Sequence, residues 1–306
     1  MQNQLQFDEP NHQPRGRKTK HLRIGTCSWK YPSWQSLVYS GTKNINFLEE
    51  YAKRYNTVEI DQWFWSLFGE DKISLPRADT VDEYCRAVPG DFKFTIKAPN
   101  SITLTHFYRH LTGGKLVPNP HFISKPLLND FLASIKPLHP YLGLVMLQFE
   151  YLNKQKMENL AEFLDCIDQL LEDTPEDIRF ALEPRNPNFF TKRYFTFLSE
   201  RGLSHVFIQG YYMPEITEVY WKYRDLVTMP VVVRLHGYDR DEIEKKTRKQ
   251  YHSIVAPKDD ELPGVIKMVQ DLRERGVDVY LNVNNHYEGS APLTIEKIRG
   301  LISDYL

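Results

Sequence analysis

The sequence predicts a (β/α)8 barrel, and three observations support that fold class. Eight short apolar runs recur along the chain, and most are followed by a segment with helical periodicity. Most runs end in polar side chains, as expected where a parallel barrel places its reactive groups at the strand C-termini. The 306 residues suffice for one barrel of roughly 250 residues plus loops. The predicted strands are Leu22–Ser28, Thr57–Asp61, Phe92–Lys97, Leu142–Gln148, Phe180–Arg185, His205–Gln209, Val231–His236 and Val277–Asn285.

The segments between these strands have the patterns of amphipathic helices with recognisable ends. Residues 160–171 place Leu, Phe and Ile side chains at helical spacing before the fifth strand. Thr80 with Glu83 matches a capping box, which predicts that a helix begins there. Gly202 and Gly276 each lie between a helical pattern and the next strand, where a left-handed C-cap is expected.

The chain divides into a short arm and one domain. Residues 1–20 are rich in Gln, Asn, Pro, Arg and Lys, which predicts a flexible polar and basic arm, and residues 21–306 form the barrel domain. Two segments, Thr103–Lys125 and Gly237–Leu262, are longer than ordinary barrel loops and leave the C-terminal ends of their strands. Loops of this length are usually functional lids or pocket walls, or they are disordered, and both alternatives stay open.

Composition narrows the class of partner. The formal net charge of −1 gives no whole-protein field that would attract nucleic acid or an anionic membrane. No apolar run approaches the ~20 residues of a transmembrane helix, and the polar N-terminus lacks the apolar core of a secretory signal. The three cysteines are far apart and odd in number, which disfavours a disulfide framework. We therefore expect a cytoplasmic protein without a membrane partner; the sequence does not indicate its oligomeric state.

Pairs of polar residues two positions apart mark the strand ends. Residues i and i+2 of a strand share a face, and the outer face of a parallel barrel is covered by helices. Each pair therefore faces the interior near the mouth, where a single buried charge costs several kcal/mol unless it is paired or meets a ligand. The pairs are Glu59/Asp61, Glu183/Arg185 and Arg234/His236.

These residues form either a self-satisfied ring of salt bridges or a polar pocket. The number of polar groups favours the pocket, because it exceeds what a barrel plug requires. The candidate catalytic residues are Glu183, Glu59, Lys97 and His236, and the candidate ligand-binding residues are Arg185, Arg234, Gln148, Asn284, Asn285, Ser28, Trp29 and Asp61.

The residue types at the strand ends suggest the chemistry. Lys97, Arg185 and Arg234 suit a carboxylate, phosphate or sulfate. Glu183 is the best candidate for acid–base work, because burial raises the pKa of a carboxyl group while neighbouring arginines lower it. The favoured ligand is thus a small polar or anionic molecule, a phosphate ester or a sugar acid. His236 is either a proton shuttle or a structural donor.

Metals, cofactors and covalent catalysis by a thiol are not favoured by the sequence. Only one histidine, His236, lies at a strand end, and three cations would compete with a divalent ion for the carboxylates. We predict no metal and no cofactor. Cys27 has no base near it in the sequence, so a buried structural thiol is expected there.

An ordered set of motifs resembles the YecE-like family, a domain of unknown function (number 72). The resemblance covers roughly residue 23 to the C-terminus and implies a TIM-barrel fold without an established activity. The motifs are Gly25-Thr-Cys-Ser-Trp-Lys-Tyr-Pro-Ser-Trp34, Tyr55-Asn-Thr-Val-Glu-Ile60, Phe92-Lys-Phe-Thr-Ile-Lys-Ala-Pro-Asn-Ser-Ile-Thr103, Gly143-Leu-Val-Met-Leu-Gln-Phe149, Ala181-Leu-Glu-Pro-Arg185, Val233-Arg-Leu-His-Gly237, Asn284-Asn285 and Gly289-Ser-Ala-Pro292.

Four positions depart from the pattern of that family, namely Asp61, Gln209, Ser290 and Thr294. The chain therefore resembles a divergent member with another ligand or without catalysis. Two alternatives to an enzyme-like barrel stay open: a metal-dependent phosphodiesterase that processes nucleic acid, which the near-neutral charge does not favour, and a non-catalytic binding or scaffold barrel.

Overall fold

A computed structural model describes residues 21–69 and 72–303, so the predicted arm of residues 1–20 lies outside the described residues. Eight of its ten strands close into an all-parallel barrel, in the order β1-β2-β5-β6-β7-β8-β9-β10 and back to β1, while β3 and β4 pair as a small antiparallel hairpin after β2. The strands are β1 (Leu22–Thr26), β2 (Thr57–Ile60), β3 (Leu67–Gly69), β4 (Lys72–Ile73), β5 (Lys93–Lys97), β6 (Leu142–Gln148), β7 (Phe180–Glu183), β8 (Ser204–Gly210), β9 (Val231–Gly237) and β10 (Val279–Val283).

Helices cover the outside of the barrel, as the (β/α)8 prediction requires. All eight predicted strands are present, with ends that differ by a few residues, so the fold class is confirmed. The helices are α1 (Phe47–Ala52), α2 (Ala78–Ala87), α3 (Asn100–Thr103), α4 (Lys125–Ser134), α5 (Leu160–Leu171), α6 (Lys192–Glu200), α7 (Ile216–Tyr223), α8 (Arg240–Thr247), α9 (Leu262–Glu274), α10 (Asn285–Glu288) and α11 (Ala291–Ser303).

The predicted helix ends are right at two glycines and wrong at one threonine. Gly202 and Gly276 have φ values of +63° and +74°, the left-handed conformation expected after a helix. The predicted capping box is wrong, because α2 begins at Ala78, two residues before Thr80. The backbone amide of Thr80 donates to the Asp79 carboxylate. Local side-chain patterns thus locate a helix better than they locate its first residue.

The interior of the barrel changes from apolar to polar along the strands. Leu144, Met146, Ala181, Val206, Val232 and Tyr280 form a small apolar cluster inside the barrel, separate from the large core under the helices. Asn282 and Thr95 then hydrogen-bond across the barrel (2.9 Å), and the ionisable side chains lie beyond them at the C-terminal ends. Since each strand places alternate side chains inward, this gradient leaves the charges at one mouth.

Two close backbone approaches shape that mouth. Gly210 at the end of β8 has φ +128°, and a Cβ there would lie 2.0 Å from the carbonyl oxygen of Gly237 at the end of β9. A Cβ on Gly237 would in turn lie 2.5 Å from the carbonyl oxygen of His286. Only glycine permits these distances, so the loops after β8, β9 and β10 are drawn tightly together.

Candidate active site at the barrel mouth

Five ionisable side chains that the sequence singled out lie together at the C-terminal ends of the strands. Glu59 is on β2, Lys97 ends β5, Glu183 ends β7, and Arg234 and His236 are both on β9. Each is at most 9% exposed. Because the C-terminal ends of parallel strands meet at one end of a barrel, the structure brings these groups into a single buried cluster.

Arg234 is the centre of this cluster. Its Nε and Nη2 donate to the two carboxylate oxygens of Glu59 (2.8 and 2.7 Å), and its Nη1 donates to Glu183 Oε2 (2.5 Å) and to Gln148 Oε1 (3.5 Å). Only 1% of Arg234 is exposed. The expectation that Arg234 contacts an anionic ligand therefore needs correction, since its guanidinium is enclosed and already holds two carboxylates of the protein.

Arg185 and Glu183 form the next contact toward solvent. Arg185 Nη2 lies 2.6 Å from Glu183 Oε1, and the guanidinium covers the ring of Tyr211, 4.5 Å from its centroid. The ion contact lacks hydrogen-bond geometry, so Glu183 Oε1 and Arg185 Nε have no hydrogen-bond partner among the described residues. This buried carboxylate and guanidinium thus retain hydrogen-bonding capacity.

The charge state of Glu183, which the sequence left open, is decided by its neighbours. Burial alone would raise the pKa of this carboxyl group, but Arg185, Arg234 and Lys97 outweigh burial and hold the pKa below its usual value. Glu183 is therefore a carboxylate at neutral pH.

Lys97 differs from the two arginines because it has no acidic partner. Its Nζ lies 4.3 Å from the ring centroid of Phe64, and no hydrogen bond or ion pair of this ammonium is found within residues 21–69 and 72–303. Burial and the nearby charge of Arg234 lower the pKa of Lys97, against the opposing pull of the carboxylates.

Asp61 lies beside the cluster, directly after β2, and is half-buried. Burial and the negative charge of Glu59 raise its pKa to about 6, although Lys97 and Arg234 act in the opposite direction. This carboxyl group therefore gains and loses a proton close to neutral pH, which is the range that general acid catalysis requires.

Cys27 and His236 form a contact that corrects the sequence analysis. Sγ of Cys27 lies 3.4 Å from Nε2 of His236, and the Tyr211 hydroxyl lies 3.1 Å from Nδ1 of the same ring. The thiol, expected to have no base beside it, does have one. Burial raises the pKa of Cys27 and lowers that of His236, so both groups are neutral and the thiol is not activated as a thiolate.

Four predicted ligand-binding residues make contacts within the protein. Trp29 is 3% exposed, and its ring packs edge-on against Tyr84 with centroids 5.2 Å apart, so it belongs to the core. Ser28 is half-buried, and its backbone carbonyl accepts a hydrogen bond from the Thr26 hydroxyl (2.6 Å).

The other two predicted ligand-binding residues are the asparagines that follow β10. Asn284 Oδ1 accepts the backbone N–H of His286 (2.9 Å) and so caps α10. Asn285 Oδ1 accepts the backbone N–H of Ala291 (3.0 Å) at the start of α11. Both amides hold the turn that closes the mouth on this side.

Two of the departures from the YecE-like pattern also have structural contacts. Gln209 Nε2 donates to the Tyr238 hydroxyl (3.0 Å) and to Glu261 (2.9 Å), which ties the loops after β8 and β9 together. The Thr294 hydroxyl donates to the fully buried carboxylate of Glu288 (2.6 Å). These two substitutions lie in the support of the mouth, whereas Asp61 lies in the cluster itself.

The long segment after β9 is an ordered wall of the mouth. It contains α8, which the sequence analysis did not predict, and the backbone amide of Lys258 donates to Glu288 Oε1 (2.7 Å). In the same segment, Tyr251 OH lies 3.3 Å from Nε2 of His286, which is on α10. These contacts fix the segment against α10.

Large apolar side chains are exposed on the connections that leave the C-terminal ends of the strands. These exposed side chains are Trp65, Phe68, Leu111, Val117, Tyr151, Tyr212 and Tyr238.

A surface cleft of about 710 Å³ lies at the opposite end of the barrel, between α5 and the start of β7. Two of its charged side chains, Asp168 and Arg201, pair with each other in a partly exposed salt bridge (2.8 Å). Glu183 Oε1 and Arg185 Nε are buried and unsatisfied at the mouth, whereas no residue that lines this cleft has such an atom among the described residues, so we place the candidate site at the mouth.

Within residues 21–69 and 72–303, no group of three or more His, Cys, Asp or Glu side chains is arranged to hold a metal ion. In the same part of the chain, no helix has the length and hydropathy needed to cross a membrane.

Curated relatives match part of the chain. The protein is 27% identical over 172 residues to the UPF0759 protein YecE of Escherichia coli K12 and, equally, to that of Escherichia coli O157:H7. The matched stretch is 56% of this chain, and it spans about half (51%) of the length of those relatives.

Solved structures with the same fold cover nearly the whole chain. A DUF72 family protein (EF0366) from Enterococcus faecalis V583 superposes with a TM-score of 0.65 at 20% identity, over 92% of this chain and 95% of that one. A DUF72 family protein (TM1631) from Thermotoga maritima MSB8 superposes with a TM-score of 0.64 at 20% identity, over 92% and 99%. The family model described as "Protein of unknown function DUF72" matches residues 23–304, and the chain therefore belongs to the DUF72 family.

Proposed function

We propose that the barrel mouth binds a small polar molecule with an anionic group, a phosphate ester or a sugar acid, and performs acid–base chemistry on it. One observation carries this proposal: the buried Lys97 and the half-buried Arg185 are cations with unused donors, and they lie beside Glu183, which has an unsatisfied oxygen. Buried polar groups in native proteins are normally satisfied, so such a set is accounted for by a ligand that completes it.

Arg185 and Lys97 are the groups that would hold the anion. A guanidinium binds carboxylate or phosphate oxygens bidentately, and Arg185 keeps Nε free for this purpose while its Nη2 contacts Glu183. Arg234, which is enclosed in the barrel, would not contact the ligand and would hold Glu59 and Glu183 in place. The proposed division of roles is therefore one positioning arginine and two cations that meet the ligand.

Glu183 and Asp61 would move protons. Glu183 is ionised and can act as a base, whereas Asp61, with a pKa of about 6, still carries a proton in part of the molecules near neutrality and can act as an acid. Two carboxyl groups with pKa values that their environments push apart are a recurrent acid–base arrangement. This pair fits a hydrolase, lyase or isomerase that transfers protons.

Calorimetric binding of glycerol 3-phosphate and of glucuronate to the purified protein tests the proposal. We expect binding that Arg185→Gln weakens about tenfold or more, because a charge-assisted bidentate contact contributes on the order of 1.5–3 kcal/mol. The matched control is Arg54→Gln, which removes an exposed guanidinium at the N-terminal end of β2. The proposal fails if neither ligand binds, or if the two variants bind them equally well.

A further inference from the structure

We propose that Lys97 is a nucleophilic amine that forms an imine with the carbonyl group of an aldehyde or ketone ligand. This inference rests on the proposed function for the position of the ligand and names its reacting group. It is carried by the contacts around Lys97. Among the described residues this buried amine has no hydrogen bond or ion pair, although the cluster contains carboxylates.

The two guanidinium groups contact every carboxylate oxygen of Glu59 and Glu183. Arg234 donates to both oxygens of Glu59 (2.7 and 2.8 Å) and to Oε2 of Glu183 (2.5 Å), and Arg185 forms an ion contact with Glu183 Oε1 (2.6 Å) without a hydrogen bond. All four oxygens therefore already face a guanidinium nitrogen. A structural lysine at such depth is normally paired, because an unpaired buried charge is costly.

The position of Lys97 suits attack on a ligand in the mouth. It is the last residue of β5, where catalytic groups of this fold lie, and 9% of it remains exposed. The ring of Phe64 lies 4.3 Å from Nζ and gives this side of the amine an apolar wall. Desolvation and neighbouring cations are the conditions that activate a lysine toward carbonyl compounds.

The charges around Lys97 come from several strands. Burial and Arg234 lower the pKa of the amine, which increases the fraction of nucleophilic –NH2, while the carboxylates act against them. The titratable and charged groups that face Lys97 are Glu59, Asp61, Glu183, Arg234, Cys27 and His236.

The proposed step needs no oxidant, reductant or metal. The nitrogen lone pair of neutral Lys97 forms a C–N bond to the carbonyl carbon, and the carbonyl π electrons move to oxygen. Glu183 takes a proton from nitrogen and returns it to that oxygen, which gives a carbinolamine. The protonated Asp61 carboxyl group then protonates the hydroxyl, the C–O bond breaks, and water leaves. The resulting iminium returns its proton to Asp61, so the products are one imine and one water.

Reductive trapping tests this step directly. The protein is incubated at neutral pH with glyceraldehyde 3-phosphate and cyanoborohydride, which converts an imine to a stable secondary amine, and the labelled lysines are mapped by peptide mass spectrometry. Lys136, exposed before β6 at the opposite end of the barrel, is the reference within the same digest. We expect Lys97 to be labelled at least severalfold faster than Lys136, because burial and Arg234 lower the pKa of Lys97 and so increase its fraction of free amine.

Lys97→Arg keeps the positive charge and should lose this label while Lys136 keeps its own. Equal labelling of the two lysines in the unmodified protein overturns the inference, and that result does not depend on whether the variant folds.

If the lysines label equally but glycerol 3-phosphate binds in an Arg185-dependent way, the imine is wrong and the anion site stands. If Lys97 labels rapidly with neutral glycolaldehyde and glycerol 3-phosphate gives no protection, the imine stands and the anionic ligand is wrong.

Discussion

Arg234 holds the Glu59 carboxylate through two parallel contacts of 2.7 and 2.8 Å, between side chains that are 2% and 0% exposed. A third contact from the same guanidinium reaches Glu183. One arginine thereby fixes two carboxylates from β2 and β7 across the mouth. A buried triad of this kind orients the groups around it, although its net contribution to stability is small because all three charges are desolvated.

Breaking the triad should destabilise the protein strongly. Arg234→Met leaves Glu59 and Glu183 buried without a common partner, and we expect a loss of about 3–5 kcal/mol in the free energy of unfolding measured by urea titration. Arg224→Met is the matched control, because Arg224 also binds a carboxylate (Asp271) through two contacts but is 37% exposed, so it should cost about 1 kcal/mol or less. Equal losses for the two variants would show that burial of the triad has no special effect.

Asp61 should make the protein less stable as the pH rises. Its pKa is about 6 in the folded protein and about 4 in an unfolded chain, so the folded state binds the proton more tightly and this contribution falls between pH 4 and pH 6. Asp61→Asn should therefore be more stable than the unmodified protein by about 3 kcal/mol at pH 8 and similar to it at pH 4. Denaturation curves at both pH values check this, with the exposed Asp130→Asn as control; a gain that does not change with pH would contradict it.

The buried histidines should remain neutral in weak acid. Burial lowers the pKa of His205 to about 3 and that of His236 well below the usual value. Imidazole ¹⁵N NMR should show neither ring protonating between pH 7 and pH 5. Because the unfolded chain binds protons on these rings from about pH 6.5 downward, they reduce stability as the pH falls, opposite in sign to Asp61. Protonation of His236 near pH 6 would show that solvent reaches the ring.

Glu183→Gln should separate binding from proton transfer. The substitution keeps the shape of the side chain and removes the charge that holds Arg185. Anion affinity should rise severalfold, because the guanidinium no longer shares its charge with a protein carboxylate, and any turnover of a bound ligand should be lost. If both affinity and turnover are unchanged, Glu183 is a structural member of the ring.

The strands could be predicted from the sequence, whereas the contacts within the site could not. Apolar runs and period-two alternation are local properties, and they placed Glu183 inward, as observed. The pairing of Glu59 with Arg234, 175 residues apart, and of Cys27 with His236, 209 residues apart, depends on how the closed barrel aligns its strands. Residue types therefore identified the candidates for the site. Only the three-dimensional structure shows which of these side chains pair with one another.

A crystal soaked in selenate shows whether the mouth holds an anion through Arg185 and Lys97. We expect anomalous density within hydrogen-bonding distance of Arg185 Nε and Lys97 Nζ, with Arg234 still bound to Glu59. Density confined to exposed guanidinium groups such as that of Arg54, with none in the mouth at high selenate concentration, would contradict it.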